Sequence, residues 1–265
     1  MWRSTPKKLP SGEFAARQPI IRPSPLPHAP PQFLLYVLLG GICQIMFTLF
    51  LLWLFSFHNF AVGTTFSKLE TIMVAVFGLL LGDRITPAVS FAIVLSASGV
   101  LALSAGQSKL SWSRLSAGLW RLPTLIGLAC AAWLGASVVF FRGASLSLQL
   151  GNFQVAASCT LLVALLLQTA IMGTFMALRR KSELKQVFHQ WRLASLVGIS
   201  GGLASIGWFA AFTLQNATYV RALGQVELIF TFIATVMVFK EKVARAELAG
   251  IGLIAAGIMI LLLAG

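Results

Sequence analysis

The chain has 265 residues, of which 58% are hydrophobic and 10% charged, with a mean hydropathy of +0.88 and a formal net charge of +13. A soluble domain carries about 25% charged residues, so this composition excludes an ordinary soluble protein and indicates one that crosses a membrane repeatedly. The positive charge would suggest nucleic acid in a soluble protein, but in a membrane protein Lys and Arg mark cytoplasmic loops, and no nucleic-acid partner is expected.

The first 33 residues differ from the rest of the chain. They hold eight of the ten prolines and five basic residues. Proline at this density is incompatible with a helix and favours an extended, solvated chain. No apolar core of a signal peptide follows the early lysines. We therefore predict that residues 1–33 form a disordered, proline-rich basic tail.

Eight apolar runs follow the tail, each close to the roughly 20 residues that a membrane helix needs. The runs are 34–57, 64–81, 88–105, 122–141, 154–178, 193–213, 220–239 and 246–264. They predict an all-α fold: a polytopic, multi-pass helical membrane protein with about eight transmembrane helices and the lipid bilayer as its surroundings.

The two ends of this helical region repeat each other. With a shift of 157 residues, Asn59 aligns with Asn216 and Glu70 with Glu227; with one further residue, Gly99 aligns with Gly257. Matches between apolar residues carry little information, but Asn and Glu are rare at membrane depth, so the paired positions favour a true internal repeat.

The helix count gives this repeat a direction. The first copy begins at the first predicted helix and the second at the sixth, so the two copies cross the membrane in opposite directions, as in many secondary transporters. The second unit, residues 122–265, spans five helices, and the first unit, residues 34–106, spans three, with a loop at 107–121 between them. Two helices of the first unit are therefore expected to be missing.

Two segments resemble a known family. The stretches NFAVGTTFSKLE (59–70) and VRALGQVELIFTFIATVMVFKEKVARAELAGIGLIAAGIMIL (220–261) are similar to EamA-type members of the drug/metabolite transporter superfamily. The resemblance implies two inverted five-helix repeats, of which this chain lacks the first two helices. It also implies a secondary transporter that exports or imports small metabolites such as amino acids or drugs. We expect an exporter, in the cell inner membrane.

The acidic residues Glu70 and Glu227 are the sharpest candidates for function. A charge at the centre of a membrane helix costs about 2.5–3.5 kcal/mol, so such a residue is expected to face a pathway or a partner. They would bind substrate or a coupling proton; the alternative is a structural ion pair, with Lys68 near Glu70 and Arg221 near Glu227 as the basic residues. The mixed charges fit a zwitterionic solute.

Uncharged polar residues complete the candidate site. Asn59 and Asn216 lie near helix starts, where each either caps a helix or donates to a substrate. Tyr219 and Gln225, with Trp208, are candidates to line a pocket, although Trp and Tyr also anchor helices at the membrane interface.

Other charges are expected at the membrane surface. Asp83 and Arg84 are typical of a solvated turn, and Arg142, at the end of the fourth run, is typical of an interfacial charge. Cys43, Cys130 and Cys159 have no metal-site spacing, so we expect neither metal, disulfide nor cofactor.

The sequence leaves three rival functions. GISGG (198–202) matches the GxSxG of serine hydrolases, but no histidine follows Ser200, so a helix-packing seam is favoured and no enzyme is expected. A lipid-linked sugar flippase would favour basic residues over mixed charges. A truncated or accessory membrane protein without transport of its own is the main alternative, and a homodimer is one way to supply the missing helices.

Overall fold

The computed structural model describes residues 30–57, 65–83, 85–107, 121–237 and 244–264. Within these ranges the regular structure is entirely helical. The helices of eight residues or more are α1 Pro31–Phe55, α2 Glu70–Leu80, α3 Pro87–Gln107, α4 Leu122–Ser147, α5 Phe153–Arg179, α6 Lys181–His189, α7 Trp191–Leu214, α8 Ala217–Gly224, α9 Val226–Met237 and α10 Arg245–Ala264. Almost all of the predicted tail, and the candidate Asn59, lie outside the described residues.

Six of these helices are long and apolar enough to cross a membrane: α1, α3, α4, α5, α7 and α10. Large apolar side chains are exposed on many sides of the molecule, Leu80 and Leu263 among them. A soluble protein would expose such residues singly, whereas the surface of a membrane helix faces lipid. The prediction of an all-α membrane protein is therefore confirmed.

The helices α3 and α10 pack closely along their length. A Cβ atom on Gly99 would lie 2.7 Å from the carbonyl oxygen of Gly250, and one on Gly257 would lie 2.9 Å from that of Ala92. Early residues of α3 thus lie beside late residues of α10, so the two helices are antiparallel. Small residues at such positions let helix backbones approach one another, and this contact is the tightest in the fold.

A second antiparallel pair joins α1 to α4. Gly40 of α1 faces the ring of Phe141, and Gly143 of α4 faces the ring of Tyr36. Farther along, buried Leu54 of α1 packs with Cys130 of α4. Helix α5 covers the other side of this pair through the core that includes Phe141.

A tight turn ends α2 and is fixed from outside. Gly82 has φ +94, a conformation that favours glycine. Asp83 N–H donates to Gly78 O at 2.8 Å and Gly82 N–H to Leu79 O at 3.1 Å, the two bonds of a Schellman motif. The Asp83 carboxylate then accepts from Arg142 Nη1 at 3.1 Å.

The predicted end of the fourth apolar run at residue 141 was wrong. Helix α4 does not end there but continues through Ser147. Arg142 lies within it, and its Nε donates to the carbonyl oxygen of Gln215 at 3.1 Å while Nη1 binds Asp83. Both charged side chains are about four-fifths buried. The bond between these distant segments explains why a charged residue is tolerated inside the helix.

Helix α7 is far less covered than α1. None of the residues in its most apolar stretch is buried, against 28% of those in α1. Residues 191–200 are all exposed. A Cβ atom on Gly198, Gly201 or Gly202 would meet no atom within 4 Å. The glycine-rich seam of α7 therefore faces open space in the part of the chain that the structure describes.

Candidate functional site

The second apolar run, predicted as one helix over 64–81, is interrupted. Residues 65–67 form a helical turn and α2 begins only at Glu70. Between them Lys68 N–H donates to Thr65 O at 3.3 Å and Leu69 N–H to Phe66 O at 3.1 Å. These are bonds to the third preceding residue in a turn between two helical stretches; within a helix, this 3₁₀-type bonding often marks a functional hinge.

The seventh run, predicted as one helix over 220–239, is interrupted as well. Helix α8 ends at Gly224, Gln225 follows, and α9 begins at Val226. Gln225 N–H donates to Ala222 O at 3.3 Å, again to the third preceding residue. Glycine weakens a helix at this point, which helps to place the interruption.

The two interruptions meet through an ion pair. Nη2 of Arg221 donates to Oε1 of Glu70, and each side chain is only 17% exposed. Glu70 lies in the first turn of α2 and Arg221 in the last turn of α8. Negative charge is favoured at a helix N-terminus and positive charge at a C-terminus, so both helix dipoles stabilise the pair.

A neutral hydrogen bond lies beside the ion pair. Gln225 Nε2 donates to Thr71 Oγ1 at 2.8 Å, and both side chains are buried. The amide oxygen of Gln225, Oε1, has no hydrogen-bond partner among the described residues. A buried carbonyl oxygen without a partner costs free energy, so this atom is available to a bound proton donor.

Arg221 also borders an aromatic cavity. Its guanidinium lies 4.9 Å from the ring centroid of Trp208, within the range of a cation–π contact. Trp208 stacks on Phe212 with centroids 5.4 Å apart. The cavity holds about 140 Å³ and is lined by residues of α1, α4, α7 and α8. Arg221 therefore connects the ion pair to a space that a small molecule can occupy.

The remaining predicted site residues form no ion pair with this cluster in the described ranges. Glu227 and Lys68 are exposed, and neither forms an ion pair within the described ranges. Asn216 is the N-cap of α8, since its Oδ1 accepts from Thr218 N–H at 2.9 Å. Tyr219 packs beside the core of α3 and α10 and lines a separate groove of about 350 Å³.

Sequence reasoning missed three residues beside Arg221 and Glu70. Thr71 bonds Gln225, while Gln44 and Ser137 line the aromatic cavity. The available signal was a polar side chain inside an apolar run. That signal does not discriminate, because other hydroxyls in these runs, such as that of Ser98, bond only their own helix.

The hydrolase motif shows no catalytic arrangement in the described residues. Ser200 Oγ donates to Leu196 O at 2.9 Å, within its own helix, and the side chain is exposed. No group of three or more His, Cys, Asp or Glu residues that could hold a metal ion occurs in the described ranges.

Comparison with known proteins identifies a fold but no family. No family model matches the chain, and no curated protein does. Four chains among solved structures are similar to it. One, described only as "Crystal structure of protein", aligns over 90% of this chain and 91% of its own, with a TM-score of 0.59 and 17% identity. At that identity the similarity shows a shared fold alone.

Proposed function

We propose that the protein is a secondary transporter of the EamA type that exports small metabolites across the cytoplasmic membrane by alternating access. One observation carries this proposal: the two predicted halves are interrupted at corresponding positions. Lys68 and Gln225 are 157 residues apart, the shift that aligns Glu70 with Glu227. Interrupted helices at corresponding positions of two repeats are the best sequence-level indication of a transporter's binding site.

The hydrogen bonds at the interruptions support the repeat. The bond from Lys68 N–H to Thr65 O and the bond from Gln225 N–H to Ala222 O are equivalent under the shift, and both measure 3.3 Å. Bonds of this kind also occur at other helix ends, such as Gln149 N–H to Leu146 O, so the support comes from their equivalent positions.

The packing of α3 on α10 supports an inverted relation. With a shift of 158 residues, Gly99 aligns with Gly257 and Ala92 aligns with Gly250. The contact of Gly99 with the carbonyl oxygen of Gly250 is therefore equivalent to the contact of Gly257 with the carbonyl oxygen of Ala92. Their distances, 2.7 and 2.9 Å, are nearly equal. Antiparallel helices with exchanged contacts are expected from a two-fold axis in the membrane plane. With each interrupted run counted as one crossing, this arrangement has eight crossings.

The ion pair provides a bond between the two halves that can break and re-form during alternating access. Glu70 belongs to one proposed half and Arg221 to the other, so their bond holds the halves together at one point. A proton on Glu70, or a charged solute on either residue, weakens that bond. A ligand shifts a conformational equilibrium only when it interacts differently with the two states, and this pair provides such a difference.

Replacing Glu70 with glutamine is expected to lower transport by roughly tenfold, the effect of about 1.4 kcal/mol on a barrier. The measurement is uptake into proteoliposomes of a panel of radiolabelled amino acids and ethidium, with and without a pH gradient. Glu183→Gln, which alters an exposed charge in α6, is the matched control and should leave transport unchanged. Unchanged transport and pH dependence in both Glu70→Gln and Glu227→Gln would contradict the coupling role of these residues.

The exposed helix α7 favours a second candidate function, that of a subunit in a larger membrane assembly. Under the proposed repeat α7 corresponds to α1, and α1 is covered by α4 and α5. In the described residues nothing covers α7 in the same way. Two further helices, from another polypeptide or a second copy, would complete the first half and cover α7.

Cysteine cross-linking tests this second function. In a background without Cys43, Cys130 and Cys159, a cysteine at Gly202 of α7 should cross-link in native membranes. A cysteine at Gly252 of α10, where a Cβ also meets no atom, should not. A product of twice 28.5 kDa would identify a homodimer, and another size a different subunit. Equal yields at both positions would argue against a specific partner on α7.

A further inference from the structure

We infer that the cavity beside Arg221 binds a small aromatic monocarboxylate. The inference rests on the proposed function in one respect, since it names the class of solute that this site would transport. The binding itself follows from the charge, the walls and the size of the cavity.

The charge of the cavity favours an anion. Among the described residues that line it, Arg221 alone is charged. Glu70 accepts from one nitrogen of the guanidinium, which carries five N–H donors in all. The remaining donors can bind a carboxylate, and a charge-assisted bond of this kind is roughly twice as strong as a neutral one. Glu70 partly offsets the charge of Arg221 through the ion pair, but no carboxylate is among the described residues that line the cavity.

The polar groups around Arg221 leave it as the principal donor. Ser137 Oγ donates to Leu134 O and Ser205 Oγ to Gly201 O, both at 2.8 Å. Their protons are therefore committed to their own helices. The amide of Gln44 adds two N–H donors on the α1 side. One carboxylate can accept from both Arg221 and Gln44, which suits a single anionic group.

The walls of the cavity favour an aromatic ring. Trp208, Phe141, Phe209 and Phe212 line it. The rings of Phe141 and Phe209 lie 5.1 Å apart at their centroids. Aromatic rings prefer offset or edge-to-face partners at centroid distances of about 4.5–7 Å. The two rings therefore contact each other and form one wall, and a planar ligand packed against this wall gains further contacts of the same kind.

The volume limits the ligand to about one ring. At about 140 Å³ the cavity is well below the roughly 300–1,000 Å³ of pockets for drug-sized molecules. The solute carboxylate shares the Arg221 guanidinium with Glu70, so binding of the solute weakens the ion pair at this residue.

Three molecules of one shape and different charge test the inference. Benzoate, benzamide and benzylamine are titrated into the purified full chain in nanodiscs, and binding is measured by calorimetry. Benzoate should bind at least roughly tenfold more tightly than benzamide, and benzylamine should show no binding. Benzoate binding no tighter than that of benzamide would overturn the inference.

Two variants place benzoate in this cavity. Arg221→Gln should weaken benzoate binding by roughly tenfold or more. Arg192→Gln, which removes an arginine stacked on exposed Trp191, should not change it. Ser205→Leu fills the cavity and leaves the ion pair intact, so it should also abolish binding even if Arg221→Gln fails to fold. Benzoate binding unchanged in Ser205→Leu would contradict the location.

Failure of the inference can be told apart from failure of the proposed function. Benzoate binding in this cavity without transport of any solute would contradict the transporter proposal and support the inference. Transport of amines or neutral solutes by a protein that does not bind benzoate would do the reverse.

Discussion

Replacing Arg221 with glutamine is expected to destabilise the protein by about 3–5 kcal/mol, because removal of one partner leaves the other charge buried and unpaired. Glu70 is 17% exposed, and Arg221 is its one ion-pair partner in the described helices. The midpoint of thermal unfolding in detergent should fall by roughly 6 °C or more. The measurement is the loss of monodisperse protein after heating, followed by size-exclusion chromatography.

The exposed pair Arg180–Glu183 provides the control for this prediction. Its side chains are 60% and 53% exposed, so Arg180→Gln should cost at most about 1 kcal/mol. The double variant Glu70→Gln/Arg221→Gln removes both charges and should recover part of the loss. If Arg221→Gln destabilises no more than Arg180→Gln, the pair does not hold the two interruptions together.

Gly250→Ala is expected to destabilise by about 1–3 kcal/mol, the cost of overpacking a close contact. The new Cβ would lie 2.5 Å from the backbone nitrogen of Leu103 and 2.7 Å from the carbonyl oxygen of Gly99. Both are backbone atoms of α3, so the helices themselves must separate. This loss exceeds the gain of up to about 1 kcal/mol that alanine brings to a helix. Thermal unfolding in detergent measures it.

Gly252→Ala is a control two residues away on the same helix. A Cβ there meets no atom within 4 Å, so only the gain in helix propensity remains. We expect an unchanged or slightly higher unfolding midpoint. A Gly250→Ala variant as stable as Gly252→Ala would show that α3 and α10 do not approach as closely as described.

Composition and run length predicted the class of fold and most helix bounds, because both follow from local sequence and the thickness of a bilayer. Arg142 shows where local sequence is insufficient. A charge at the end of an apolar run indicates the end of a helix, yet α4 extends five residues beyond Arg142. Its partners, Asp83 and Gln215, are 59 and 73 residues away, and no local pattern indicates them.

The candidate site was predicted by residue type but not by pairing. Both Glu70 and Arg221 were chosen from the sequence, with Lys68 and Glu227 as their near neighbours. The ion pair instead spans 151 residues. Glu70 and Glu227 are equivalent in the proposed repeat, yet one is paired and buried while the other is exposed. A repeat predicts equivalent backbone positions, whereas the partner of a side chain depends on residues that differ between the copies.

That difference sets a preference between conformations. Under the proposed repeat, the equivalent of the Arg221–Glu70 pair would join Thr64 to Glu227, and a threonine carries no charge. If the halves exchange roles during transport, the opposite-facing state lacks a cation at the position equivalent to Arg221. The two ends of the cycle then differ in energy. A bias of about 3 kcal/mol would keep the opposite-facing state below about 1% of molecules until a proton or solute on this pair removes the difference. Without a ligand, most molecules would therefore stay open to the same side of the membrane. The change to the opposite-facing state would then require a bound proton or solute.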